Sequence, residues 1–169
     1  AVGNPGVVRA SLPGRWGTLP KDQHIYYPDP SGAEVTGIFA TEKGLLVFTE
    51  GTTALCQIND AGTGFRWEPL SRTVGCVSPD SIALLPGGTA IWLGREGFHA
   101  YSGGEVSLIS RGGVEASVRR INPARRHRAC AVVDPDVGEY RCWVPLDRSD
   151  FNDHCFVFDG TSWRERNDM

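Results

Sequence analysis

Two stretches of the chain superimpose, and this internal repeat limits the fold more than any other feature. In TGIFATEKGLLVFTEGTTAL (36–55) and DSIALLPGGTAIWLGREGFHAY (80–101), Ile38 falls on Ile82, Gly44 on Gly88, Val47 on Ile91 and Phe48 on Trp92. After a two-residue insertion, Glu50-Gly51 falls on Glu96-Gly97 and Ala54 on Ala100. A looser third copy, ACAVVDPDVGEYRCWVPL (129–146), puts Trp143 in the place of Trp92, and CFVFDG (155–160) matches FHAYSG (98–103). A period of roughly 40–50 residues carrying four short strands is that of a β-propeller blade.

The pattern predicts strands at 35–42, 44–50, 53–59 and 64–71, then at 80–86, 89–94, 98–102 and 105–110. A third set falls at 128–134, 139–145, 154–159 and 161–166. Gly and Asp mark the tight turns between them, where a positive φ is needed. Gly-Leu-Leu-Val-Phe (44–48) is apolar throughout, as expected of a strand packed on both faces. FRWEPLSR (65–72) alternates, as a half-exposed strand does. One short helix is expected in GGVEASVRRINPARR, where Val114, Val118 and Ile121 recur at i, i+4 and i+7 and Asn122-Pro123 ends the segment; its stripe is expected to cover a blade edge.

The predicted fold is therefore all-β, with about three propeller-type four-stranded antiparallel blades and one short helix; a β-sandwich is the alternative. Residues 1–34 read as the end of a preceding blade and a connector, 35–71 and 72–110 as blades, 111–127 as the helix and a basic connector, and 128–169 as a blade. Propellers usually need roughly four to eight blades. The expectation is a segment of a larger propeller, or one completed by other copies of the chain. A start at Ala rather than Met points the same way.

Composition narrows the function classes. With 40% apolar and 22% charged residues the chain is globular, and a net charge of −3 gives no general attraction to nucleic acid or anionic membrane. No run approaches the roughly 18 apolar residues of a membrane span. Five scattered cysteines with no CxxC pair read mostly as buried, reduced thiols.

The order of the phrases SLPG, GTLP, TGIFATEKGLLVFTEGTTAL, LSRTVGCVSPDSIALLPGGTAIWLGREGFHAYSGGEVSLIS, VRRINPARRHRACAVVDPDVGEYRCWVP and FVFDGTSWRER resembles the propeller-like structural proteins of tailed bacteriophage virions, found at the neck, tail hub or tail tip. The resemblance spans roughly residues 10–166 and lies in packing residues, and this chain is shorter than such proteins usually are. It implies an assembly role in the virion after synthesis in the host cytoplasm, through contacts with other copies of the chain and other virion proteins. On that reading Gly75-Cys76 and Ser78-Pro79 form a crossover between blades. Phe48, Trp92, Tyr101, Trp143 and Phe158 are the expected inter-blade packing residues.

Among residues that carry chemistry, the densest group is RRINPARRHR (119–128). Arg119, Arg120, Arg125, Arg126 and Arg128 are candidates for phosphate contact, in passing with packaged DNA, or for contact with a protein partner. Trp16, Tyr26, Tyr27 and Trp67 are candidates for stacking on sugars or a receptor, which gives a carbohydrate- or receptor-binding module as the alternative function. A propeller hydrolase is a third reading, but Glu50 and Glu96 occupy matched turns and no nucleophile motif accompanies them. His154 and Cys155 are strand neighbours and point to opposite faces, so they do not read as a shared metal site. DPDVGE (134–139) and NDAGTG (59–64) read as hairpin turns and lack the ligand ladder of a calcium loop. No enzyme activity, cofactor or small-molecule substrate is expected.

Overall fold

Short apolar strands separated by Gly- and Asp-bearing turns fold here into three successive antiparallel meanders. The computed structural model describes residues 7–9, 24–26, 33–58 and 65–166. The first sheet runs β3 (Val35–Thr41), β4 (Gly44–Thr49), β5 (Thr53–Ile58) and β6 (Phe65–Ser71). The second runs β7 (Ala83–Leu84), β8 (Ala90–Leu93), β9 (Phe98–Tyr101) and β10 (Ser107–Leu108). The third runs β11 (Cys130–Asp134), β12 (Glu139–Val144), β13 (His154–Phe158) and β14 (Trp163–Arg166). Ahead of them, β1 (Val7–Arg9) and β2 (His24–Tyr26) pair as a two-stranded ribbon. The chain is all-β with propeller-like blades, and among the described residues no sheet closes into a barrel.

The sheets stack face to face because their inner strands are apolar on both sides. In β4, Leu46 and Phe48 join Trp92, Tyr101 and Ile82 in the core between the first two sheets. Val47 points the other way, onto Val8 of the ribbon. The same alternation in β8 sends Trp92 back to the first sheet, while Ile91 and Leu93 meet Tyr140, Cys142 and Val144 of the third. Phe48 and Trp92 meet edge to face at 5.0 Å. Phe98 stacks on Trp163 at 4.6 Å and meets Phe156 edge-on at 5.5 Å. The fully buried rings, those of Phe48, Trp92, Phe98 and Phe156, each contribute on the order of 2–3 kcal/mol.

The expected strand at 80–86 is mostly replaced. Pro79–Ser81 form a single 3₁₀ turn and only Ala83–Leu84 pair as strand. Pro79 has no N–H for a ladder, and the Ser81 hydroxyl is used elsewhere. It donates to the Ser78 carbonyl at 2.6 Å and accepts the Leu93 N–H at 3.0 Å.

This crossover, residues 74–82, is where the three sheets are tied together. Thr36 and Thr53 of the first sheet donate to the carbonyls of Cys76 and Val74, at 2.9 and 2.8 Å. Trp92 Nε1 of the second donates to the Gly75 carbonyl at 3.1 Å. The Tyr140 hydroxyl of the third donates to the Ser81 carbonyl at 2.8 Å, and Ser78 Oγ donates to the carbonyls of Ala129 (2.6 Å) and His127 (3.0 Å). Gly75 is required by space: a Cβ there would lie 2.2 Å from the Thr49 carbonyl oxygen.

The helix is one turn, α1 (Glu115–Val118). Val114, Val118 and Ile121 are all buried in the core shared by the second and third sheets, so the stripe plugs that junction as well as bordering it. None of the described helices is long and apolar enough to cross a membrane.

Candidate functional site

Strands β4 and β8 finish at the same end of the stack, and the turns that follow them bring Glu50 and Arg95 together at 2.9 Å. Ser110, Arg111, α1 and the connector after it close around the second turn. The result is a cleft of about 420 Å³ with Leu93, Leu108, Val118 and Ile121 as an apolar floor. Four arginines line it, Arg95, Arg111, Arg119 and Arg126, with Glu96 and Glu115.

The arginine run of the connector is divided by this geometry. Arg119 pairs with Glu115 one helical turn back, and Arg126 lies 3.7 Å from Glu50. Arg120, Arg125 and Arg128 lie outside the cleft lining and hold the segment between β12 and β13. Arg120 is bidentate on Asp147, with bonds of 3.0 and 2.6 Å. Arg125 pairs with the Asp150 carboxylate, and Arg128 donates to the Asp150 carbonyl at 2.8 Å. All five arginines proposed for phosphate or partner contact thus have an acceptor within the chain, for which a phosphate has to compete.

The same pairs set the carboxylate chemistry. The Arg95 hydrogen bond holds Glu50 below its ordinary value, with added help from the charge of Arg126. Arg120 does the same for Asp147, and Arg125 for Asp150. Among the described residues, Arg111 is the cleft cation without an acidic partner.

The outer faces of the first and third sheets differ. On the outer face of the first sheet, Ile38, Ile58 and Phe65 are 54%, 70% and 46% exposed, around a small cluster made by Val8, Val47 and Cys56. The third sheet has a charged outer face. Arg141 bridges Asp134 and Glu139, each at 3.0 Å, and Arg164 also pairs with Glu139. Val157 and Cys155 are buried under this lattice, opposite Arg141 and Trp143 in the register.

Of the expected packing residues, Phe48, Trp92 and Tyr101 sit between the first and second sheets, and Phe158 between the second and third. The expectation for Trp143 is corrected: it is half-buried on the outer face of the third sheet. Tyr140 and Cys142 hold the inward positions, because a shift of one residue along a strand turns the side chain to the other face. Trp67 is half-buried against the cluster of Val8, Val47 and Cys56. Only the backbone of Tyr26 is described, in β2, and Trp16 and Tyr27 lie outside the described residues.

Sequence reasoning missed Arg95 and Arg111 as cleft residues, since each stands alone among uncharged or acidic neighbours. It also missed Tyr140, although the alternation in EYRCWV puts it in phase with Cys142 and Val144. No family model and no curated relative matches the chain.

Proposed function

We propose that this chain is a structural component of a tailed-bacteriophage virion, in the neck or tail, that works through contacts with other copies of itself and with other virion proteins. The observation that carries the assembly part is the apolar outer face of the first sheet. Ile38, Ile58 and Phe65 all point from that face into solvent. Covering side chains of this size contributes on the order of 1.5–3 kcal/mol each. The virion setting rests on the order of packing phrases along the chain. A carbohydrate- or receptor-binding module gains no specific support, because Trp67, the one aromatic candidate with a described side chain, is engaged in packing.

Light scattering of the native protein at several concentrations tests this reading. The expected mass is a multiple of 18.4 kDa that grows with concentration. Ile58→Asp should shift the mass toward the single chain. A single-chain mass at every concentration, with no stable complex formed with co-expressed virion proteins, refutes the assembly role.

A further inference from the structure

The cleft beside α1 has no role in the reading above beyond bringing arginines together, and its charge balance is specific. Its four arginines share the lining with Glu96 and Glu115, and Glu50 beside it bridges Arg95 and Arg126. That leaves one positive charge, and Arg111 is the cation with no acidic partner among the described residues. A phosphate chain brings more negative charge than Glu96 and Glu115 tolerate, and a cleft of about 420 Å³ does not admit a nucleic-acid duplex. The floor is apolar. The occupant that fits is a single carboxylate beside a small apolar group, on a rigid segment that loses little entropy on docking.

The chain itself carries such a segment. The turn between β11 and β12 exposes Asp136 and Val137 side by side at its tip, with Val137 59% exposed. It is held in shape by the Gly138 N–H on the Asp134 carbonyl (2.9 Å) and the Asp136 N–H on Asp134 Oδ1 (3.2 Å). Asp134 and Glu139 at its base are occupied by Arg141, whereas among the described residues no ion pair engages Asp136. We propose that Asp136 and Val137 of one copy dock in the cleft of another, the carboxylate on Arg111 and the isopropyl group on the apolar floor. This proposal rests on the assembly reading and adds a contact separate from the apolar face around Ile58.

One copy cannot make the contact with itself. Beyond Val144, β12 leads into the segment whose Asp147 and Asp150 hold Arg120 and Arg125 of the connector, so the connector end of the strand is the cleft end. The tip is at the other end of β12, six residues and roughly 20 Å away. The contact is head-to-tail between copies, and repetition gives a ring if the rotation closes and a filament if it does not.

The test is a charge swap read by light scattering and by sedimentation across a concentration series. Arg111 and Asp136 are both exposed, so Arg111→Glu and Asp136→Arg should leave the fold intact, which thermal melts verify. Each single variant should weaken self-association at least about tenfold, and the double variant should restore it. Wild-type association that neither variant alters overturns the docking proposal and leaves the assembly reading standing. Single variants that weaken association without rescue in the double variant also overturn the pairing of these two residues. A wild-type chain that stays single at every concentration removes self-association and the proposal together.

Discussion

Replacing Tyr140 by Phe removes one atom, and the structure states what that atom does. The ring is fully buried between the second and third sheets, and its hydroxyl donates to the Ser81 carbonyl at 2.8 Å. Ser81 cannot turn that carbonyl to water, because its own side chain is fixed on Ser78 and Leu93. The variant keeps the shape of the ring, so the cost is that of a buried carbonyl left without its donor, about 1–3 kcal/mol. For a chain of this length that lowers the midpoint of thermal unfolding by roughly 2–4 °C per kcal/mol. Urea unfolding followed by tryptophan fluorescence should show a lower midpoint with an unchanged slope. The pH dependence adds a second signature. Burial raises the Tyr140 phenol well above its ordinary value, so the folded state keeps a proton that the unfolded state releases near pH 10. Stability from this group is complete below about pH 10 and declines above it, and the Phe variant should show a shallower alkaline decline. A loss below about 0.5 kcal/mol, with an unaltered alkaline limb, refutes the claim that this hydroxyl ties the two sheets.

Three further outcomes are expected. Gly75→Ala sets a Cβ against the Thr49 carbonyl and the Glu50 backbone, so it should cost more than about 3 kcal/mol and reduce soluble yield; a loss under about 1 kcal/mol refutes the close approach. Glu50, Glu139, Asp147 and Asp150 are all held below their ordinary values by arginines, so their contribution is present above the unfolded carboxylate range and lost as pH falls through the lower folded values. Thermal melts between about pH 4.5 and 3 should fall less steeply in Arg120→Ala or in high salt, and identical slopes count against the pairing. A thiol reagent should modify Cys130 quickly in the native protein, because it is exposed, while the other four cysteines are buried. Burial also pushes the Cys76 thiol up to about 12, so fast labelling of Cys76 contradicts the described core.

The sheet pattern was legible in the sequence because it depends on local chemistry. Apolar runs such as 44–48 and turn residues such as Asp159, which accepts the N–H groups of Thr161 and Ser162, act within a few residues. The faces were legible where a repeat supplied the phase, as for Phe48 and Trp92. The phase failed at Trp143, where the third copy is loose and the aromatic match runs against the alternation that points Tyr140 and Cys142 inward. The cleft was not legible, because Arg95, Arg111 and Arg126 lie far apart in the chain and meet only once the second turn, β10 and the connector converge. The arginine run promised a free basic face, but the Asp147 and Asp150 carboxylates that engage Arg120 and Arg125, and the Asp150 carbonyl that engages Arg128, lie more than twenty residues on.

The crossover at 74–82 also bears on how the chain responds to force. In a simple stacked array each layer touches only its neighbours, so the layers at the ends peel off first. Here one short segment is bonded to the first sheet through Thr36 and Thr53, to the second through Trp92, and to the third through Tyr140. A pull that separates any two sheets loads the same short length of backbone. The stack should therefore yield in one step, as a clamp opens, with no sequence of separate detachments.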